Sequence, residues 1–131
     1  MTLAWIVLGF SSVTHAQDEP PPPQDAVPIE LPRPTYPTMA AFFGMNGYCE
    51  VRFAVDARGY AFNLYTSCTD YVFCYQSKKA VNEALFTPAY ENGRARIRDN
   101  VIYPLEYIME DVDPSSIDRS RIKPCRKAPI S

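Results

Sequence analysis

Residues 47–55, GYCEVRFAV, alternate along their length: Cys49, Val51, Phe53 and Val55 fall on one side and Tyr48, Glu50, Arg52 and Ala54 on the other. A period of two is that of a half-buried strand. Asp56-Ala57-Arg58-Gly59 then predicts a turn, with Gly59 free to take a positive φ. A second strand is expected over residues 60–67, with Phe62, Leu64 and Thr66 on one face and Cys68 continuing their phase. Thr69-Asp70 is a helix start signal, and the spacing changes over residues 71–85. There Phe73, Ser77, Ala80 and Ala84 recur at helical intervals with Val81 and Leu85 beside them, while Lys78, Lys79, Asn82 and Glu83 take the wet side. Pro88 forbids continuation and Asn92-Gly93 marks a turn. A third strand is expected over residues 95–109, with Val101, Tyr103, Leu105 and Tyr107 in alternating phase and Pro104 inside it. Proline cannot donate to a ladder, so this strand has an open edge at that point. The order β-β-α-β predicts an α+β fold, one helix packed on a small antiparallel sheet.

Composition narrows the function. A chain of 131 residues allows one domain. Thirteen Lys and Arg against fifteen Asp and Glu leave a net charge of −2, without the basic face that nucleic acid requires. The one histidine is His15, in the segment ahead of the fold. A folded part without imidazole has no Ser-His-Asp or Cys-His catalysis and no Cys/His zinc site. No catalytic constellation of Asp, Glu, Tyr or Lys stands out, and neither a cofactor nor a metal is expected. Glu110, Asp111 and Asp113 have the composition of a solvated loop, rather than of a calcium site.

The chain divides into an apolar start, a proline-rich stretch, the folded unit and a polar tail over residues 110–131. Residues 3–10, LAWIVLGF, are too few to span a bilayer, which takes about 20. Thr14-His15-Ala16 followed by Gln17 fits a secretory signal peptide cut after Ala16, although no Lys or Arg precedes the apolar run. A retained short anchor and a plain buried segment are the alternatives for residues 1–16. Residues 17–35, QDEPPPPQDAVPIELPRPT, favour polyproline II and would reach on the order of 60 Å as a free spacer. A proline-rich ligand for an aromatic groove is the other reading of that stretch. Cys49, Cys68, Cys74 and Cys125 form an even set without a C-x-x-C, which suggests a disulfide framework in an oxidising compartment. Four cysteines allow three pairings. Cys49 with Cys68 is preferred, because both lie in phase near opposite ends of one hairpin, and that leaves Cys74 with Cys125; a two-residue slip at the turn would alter this.

Taken in order, Tyr36-Pro37, Gly47, Val51, Phe53, Val55-Asp56, Gly59, Asn63, Ala80, Phe86, Pro88, Asn92-Gly93, Val101, Pro104 and Tyr107 resemble the TonB C-terminal domain over residues 36–109. The resemblance implies a non-enzymatic protein of the Gram-negative envelope. Members of that family are anchored in the inner membrane, work with a proton-driven motor complex and pull on outer-membrane receptors that import siderophores and cobalamin. Contact by strand addition to an exposed sheet edge follows from the resemblance. The matching edge is the third strand, with Arg98, Asn100, Ile102 and Pro104 as contact residues, and Tyr36 and Pro37 match the Tyr-Pro at the entrance to the domain. The chain departs from the family in its short apolar run, its short spacer, its four cysteines and its tail. Two readings therefore stand: a TonB-like transducer docking to an outer-membrane receptor, or a secreted periplasmic adaptor of the same fold that binds another envelope protein. Edge strands also make a homodimer an open possibility.

Overall fold

The computed structural model describes residues 21–126, together with residues 2, 4 and 8–11. The signal or anchor reading of residues 1–16 and His15 lie largely or wholly outside these described residues. In chain order the elements are β1 (Val27–Pro28), α1 (Thr38–Phe42), β2 (Gly47–Val55), β3 (Ala61–Cys68), α2 (Cys74–Glu83), β4 (Phe86–Thr87), β5 (Ala89–Glu91), β6 (Arg94–Arg96), β7 (Arg98–Tyr107) and β8 (Lys123–Pro124). The fold is α+β: an antiparallel sheet in the order β7-β2-β3-β8, one main helix, and two small two-stranded ladders, β1-β4 and β5-β6.

β2 is the centre of the sheet because its inward face is wholly apolar. Cys49, Val51 and Val55 are fully buried and Phe53 nearly so, which is the stripe expected from the alternation. Asp56 stabilises the following turn, its Oδ1 accepting from the amides of Arg58 and Tyr60, both at 2.9 Å. Gly59 takes φ 91° there and accepts a 2.9 Å bond from the amide of Phe86. That bond draws Phe86 into the core against Phe53.

α2 supplies the other half of the core. Asp70 caps the single 3-10 turn ahead of it by accepting from the Val72 amide at 2.9 Å. Phe73, Ser77 and Val81, spaced by four, are the fully buried positions, while Ala80 and Ala84 sit half-buried beside them. The helix stops at Glu83, ahead of Pro88, because Ala84 is extended and Leu85 bridges to Tyr60.

Three local expectations give way. Ala61 and Leu64, not Phe62, pack on the core, and Phe62 stands across from Ala54. The cause is a bulge: Asn63 sits at φ 52° and inserts one residue opposite Phe53, which shifts the side-chain phase. The third strand is broken at Ile97, since β6 turns back on β5 through Asn92 and Gly93 at φ 54° and 77°, the positive pair of a tight hairpin. The proline-rich stretch is not wholly a free spacer. Gln24 and Tyr90 exchange backbone bonds of 3.0 and 2.9 Å, Ile29 donates to Leu85 at 2.8 Å, and β1 pairs with β4. Gln24 and Ile29 retain the donors that the prolines lack, so a short ladder forms between them.

Candidate functional site

β7 is the outermost strand of the sheet on one side, ten residues long, and its register decides what it offers to a partner. Cys49 and Cys68 are bonded with their Cα atoms 4.1 Å apart, the close spacing of a non-hydrogen-bonded pair. Tyr48 beside them turns toward β3, its carbonyl accepting from the Thr69 amide at 2.9 Å and its amide donating to Thr69 Oγ1 at 3.0 Å. Cys49 therefore directs its amide and carbonyl to β7, where its register partner is Leu105. Alternation then turns Ile102, Pro104 and Glu106 outward, with register partners Arg52, Glu50 and Tyr48. Pro104 sits where its missing N–H costs the ladder nothing. The open edge presents donors at Ile102 and Glu106 and a lone carbonyl between them.

A groove of about 440 Å³ runs beside this edge, between residues 31–36 and residues 103–108. Leu31, Arg33, Tyr36, Tyr103, Pro104 and Glu106 are among its walls. Tyr36 is fixed from below. Its hydroxyl donates to the Met45 carbonyl, and its ring stands edge-on to Phe73 and Tyr107 at 6.2 and 5.7 Å. Burial pushes the Tyr36 phenol above its ordinary value. Pro37 is buried and ends the extended segment at the start of α1.

The six contact positions expected from sequence thus divide. Ile102 and Pro104 lie together on the open edge, and Tyr36 lines the groove beside them. Asn100 is exposed at φ 53° where the β2–β7 register shifts, off the regular edge. Arg98 is engaged within the chain: its Nε donates to Asp25 Oδ1 at 2.7 Å and its guanidinium also reaches the Asp99 carbonyl. That guanidinium, followed by the Ala26 amide, holds the Asp25 carboxyl below its ordinary value.

Sequence reasoning passed over Glu106, Arg119 and the strip around Leu31 and Arg33. Glu106 is outward on the edge and ion-paired with Arg119 of the tail, whose guanidinium also lies 5.2 Å over the Tyr48 ring. Nothing local in the sequence joins Arg119 to Glu106. The Leu31-Pro32-Arg33-Pro34 run carried the one available signal, since its alternating prolines hold it extended.

The second bridge joins Cys74 at the start of α2 to Cys125, with Cα atoms 5.9 Å apart. In the tail, Asp113 caps a 3-10 turn by accepting from the Ser115 amide at 2.9 Å. No helix among the described residues is long and apolar enough to cross a membrane.

A comparison with curated proteins finds no match. The sequence model of the Gram-negative bacterial TonB protein C-terminal family matches residues 32–109, more than half of the chain and all of the sheet except β8. The chain belongs to the TonB C-terminal domain family.

Proposed function

We propose that the open edge of β7 receives an extended segment of an outer-membrane receptor by strand addition, coupling this domain to energy-dependent transport across the envelope. Family membership supplies the coarse role, a TonB-like domain of envelope transport. The observation that carries the finer reading is the outward set Ile102, Pro104 and Glu106 beside a groove of about 440 Å³. Main-chain bonds to Ile102 and Glu106 hold the added strand, and the groove walls select its side chains. The inner-membrane motor complex is the second partner under this reading, and the protein faces the periplasm.

Ile102→Pro tests the edge. The Ile102 amide faces away from β2, so the substitution removes an edge donor and leaves the internal ladder in place. Loss of binding to a receptor-derived peptide, with an unchanged circular dichroism spectrum, is expected. Unchanged affinity rules out this edge.

One observation favours a second reading, a secreted periplasmic adaptor of the same fold. Part of the proline-rich stretch is paired to β4 and β5, which shortens the reach available from a membrane. The intact mass of the protein recovered from its native envelope separates the two: a chain starting at Gln17 supports the adaptor, and a chain retaining Met1 in the inner-membrane fraction supports the transducer.

A further inference from the structure

The opposite side of the sheet is closed by the chain itself. β8 pairs with the end of β3, Pro124 opposite Ser67 and Lys123 opposite Cys68. The Cys125 amide donates to the Thr66 carbonyl at 2.8 Å, so Thr66 and Cys68 turn their main-chain groups away from β2 and toward the tail. Between β7 and β8 the chain crosses the end of the sheet, held at Glu106 and over Tyr48 by Arg119. Arg126 lies 5.4 Å over the Tyr65 ring.

By its own contacts this strap is weakly seated. β8 is two residues long and its residues are exposed, and a two-residue ladder is marginal in water. The Thr66 side-chain oxygen is buried yet has no hydrogen-bond partner among the described residues with the strap in place, a polar fit left incomplete. Beside it a groove of about 940 Å³ runs from the strap, at Pro124 and Arg126, past Leu64 and Tyr65 to Glu50 and Ile102 on the neighbouring strands. The Cys74–Cys125 bridge keeps Lys123 and Pro124 beside β3 at high effective concentration.

We infer that the Cys74–Cys125 bridge fastens a guard over the β3 edge, and that without it this edge pairs with the β3 edge of a second copy of the chain. An antiparallel β3–β3 contact is self-complementary, the same outward groups of Leu64, Thr66 and Cys68 serving both copies about a two-fold axis. Among the described residues the guard leaves β7 as the one long strand open to a partner, and this inference stands whether or not β7 binds a receptor.

The full chain and its Cys74→Ser/Cys125→Ser variant are compared by light scattering over a concentration series. The parent is expected to keep one mass, and the variant to shift toward twice its mass as concentration rises. Adding Thr66→Pro, which removes an outward N–H without touching the β2 ladder, is expected to restore the parent's mass. A folded variant that keeps the parent's mass throughout overturns the inference, as does a dimer indifferent to Thr66→Pro. If the variant fails to fold, the parent itself carries the test. Cys74 and Cys125 are half-buried whereas Cys49 and Cys68 are buried, so a dithiol opens the outer bridge first. Amide exchange at Cys125, whose N–H the Thr66 carbonyl holds, and at Cys68, opposite Lys123, is then expected to quicken about tenfold or more, and unchanged exchange refutes the fastening role.

Discussion

Ser77 and Tyr107 are joined by a 2.7 Å hydrogen bond between their hydroxyls, buried between α2 and the last residue of β7. Phe73 stacks on the same tyrosine at 4.5 Å. A polar pair thus ties helix to sheet inside an apolar core, and burial pushes the Tyr107 phenol above its ordinary value despite the opposing pull of Ser77. Ser77→Ala leaves the Tyr107 hydroxyl buried without its partner, at a cost of about 1–3 kcal/mol. Adding Tyr107→Phe is expected to recover part of that loss, since both polar groups are then gone. Denaturant midpoints of the two variants check this.

Gly59 sits at φ 91° with the Phe86 carbonyl oxygen directly in the way of any Cβ. The obstacle is backbone and cannot rotate aside. Gly59→Ala is therefore expected to destabilise the domain by about 1–3 kcal/mol, with loss of near-ultraviolet signal from the Phe53–Phe86 contact. A thermal midpoint equal to that of the parent contradicts this account of the turn.

Pro104 removes one donor from the middle of the open edge. Because it faces outward, Pro104→Ala is expected to leave the fold unchanged. It is also expected to strengthen strand addition by about 0.5–1.5 kcal/mol, one net hydrogen bond. Titration with a receptor-derived peptide measures the change, and weaker binding would show that the proline ring itself makes the contact.

The Asp25–Arg98 pair makes the docking of the N-terminal segment sensitive to acid. Asp25 is held below its ordinary value of 3.8, first by the Arg98 guanidinium and then by the Ala26 amide. A carboxyl lowered in this way stabilises the docked arrangement at pH above its ordinary value. The contribution disappears as pH falls through the lowered one. Amide exchange at Gln24 and Tyr90 is expected to quicken over that acid window and to be insensitive to it in Arg98→Ala. Both groups are largely exposed, so salt is expected to weaken the effect.

The parts of the fold governed by short-range pattern were legible. Cys49, Val51, Phe53 and Val55 announced the central strand by alternation, and Asn92-Gly93 announced its turn. The bulge at Asn63 was not, because Phe62, Leu64 and Thr66 keep an unbroken phase on paper and only the φ of Asn63 breaks it. Gln24 and Asp25 were hidden for another reason: their partners Tyr90 and Arg98 lie far along the chain, and a stretch rich in proline gives no sign of where its few donors go. Of the candidate site, the open edge followed from the donor missing at Pro104, whereas Ile102 and Pro104 as contacts came only with the resemblance to the TonB C-terminal domain. Glu106 with Arg119 depended on where the tail crosses the sheet, which charge pattern alone does not specify.

The pairing of residues 24–29 with β4 and β5 also decides how the domain would answer a pull. Tension applied to the chain ahead of Gln24 meets the Gln24–Tyr90 and Ile29–Leu85 bonds in turn, and such bonds peel apart one by one. Their release would free residues 24–35, roughly 40 Å of chain that is already largely extended, before force reached the aromatic anchor at Tyr36. A strand added along β7 would instead be loaded in shear, all of its bonds at once. The weak end of that chain of contacts is the segment ahead of Tyr36, so a tug would free the tether before it strained any grip on β7.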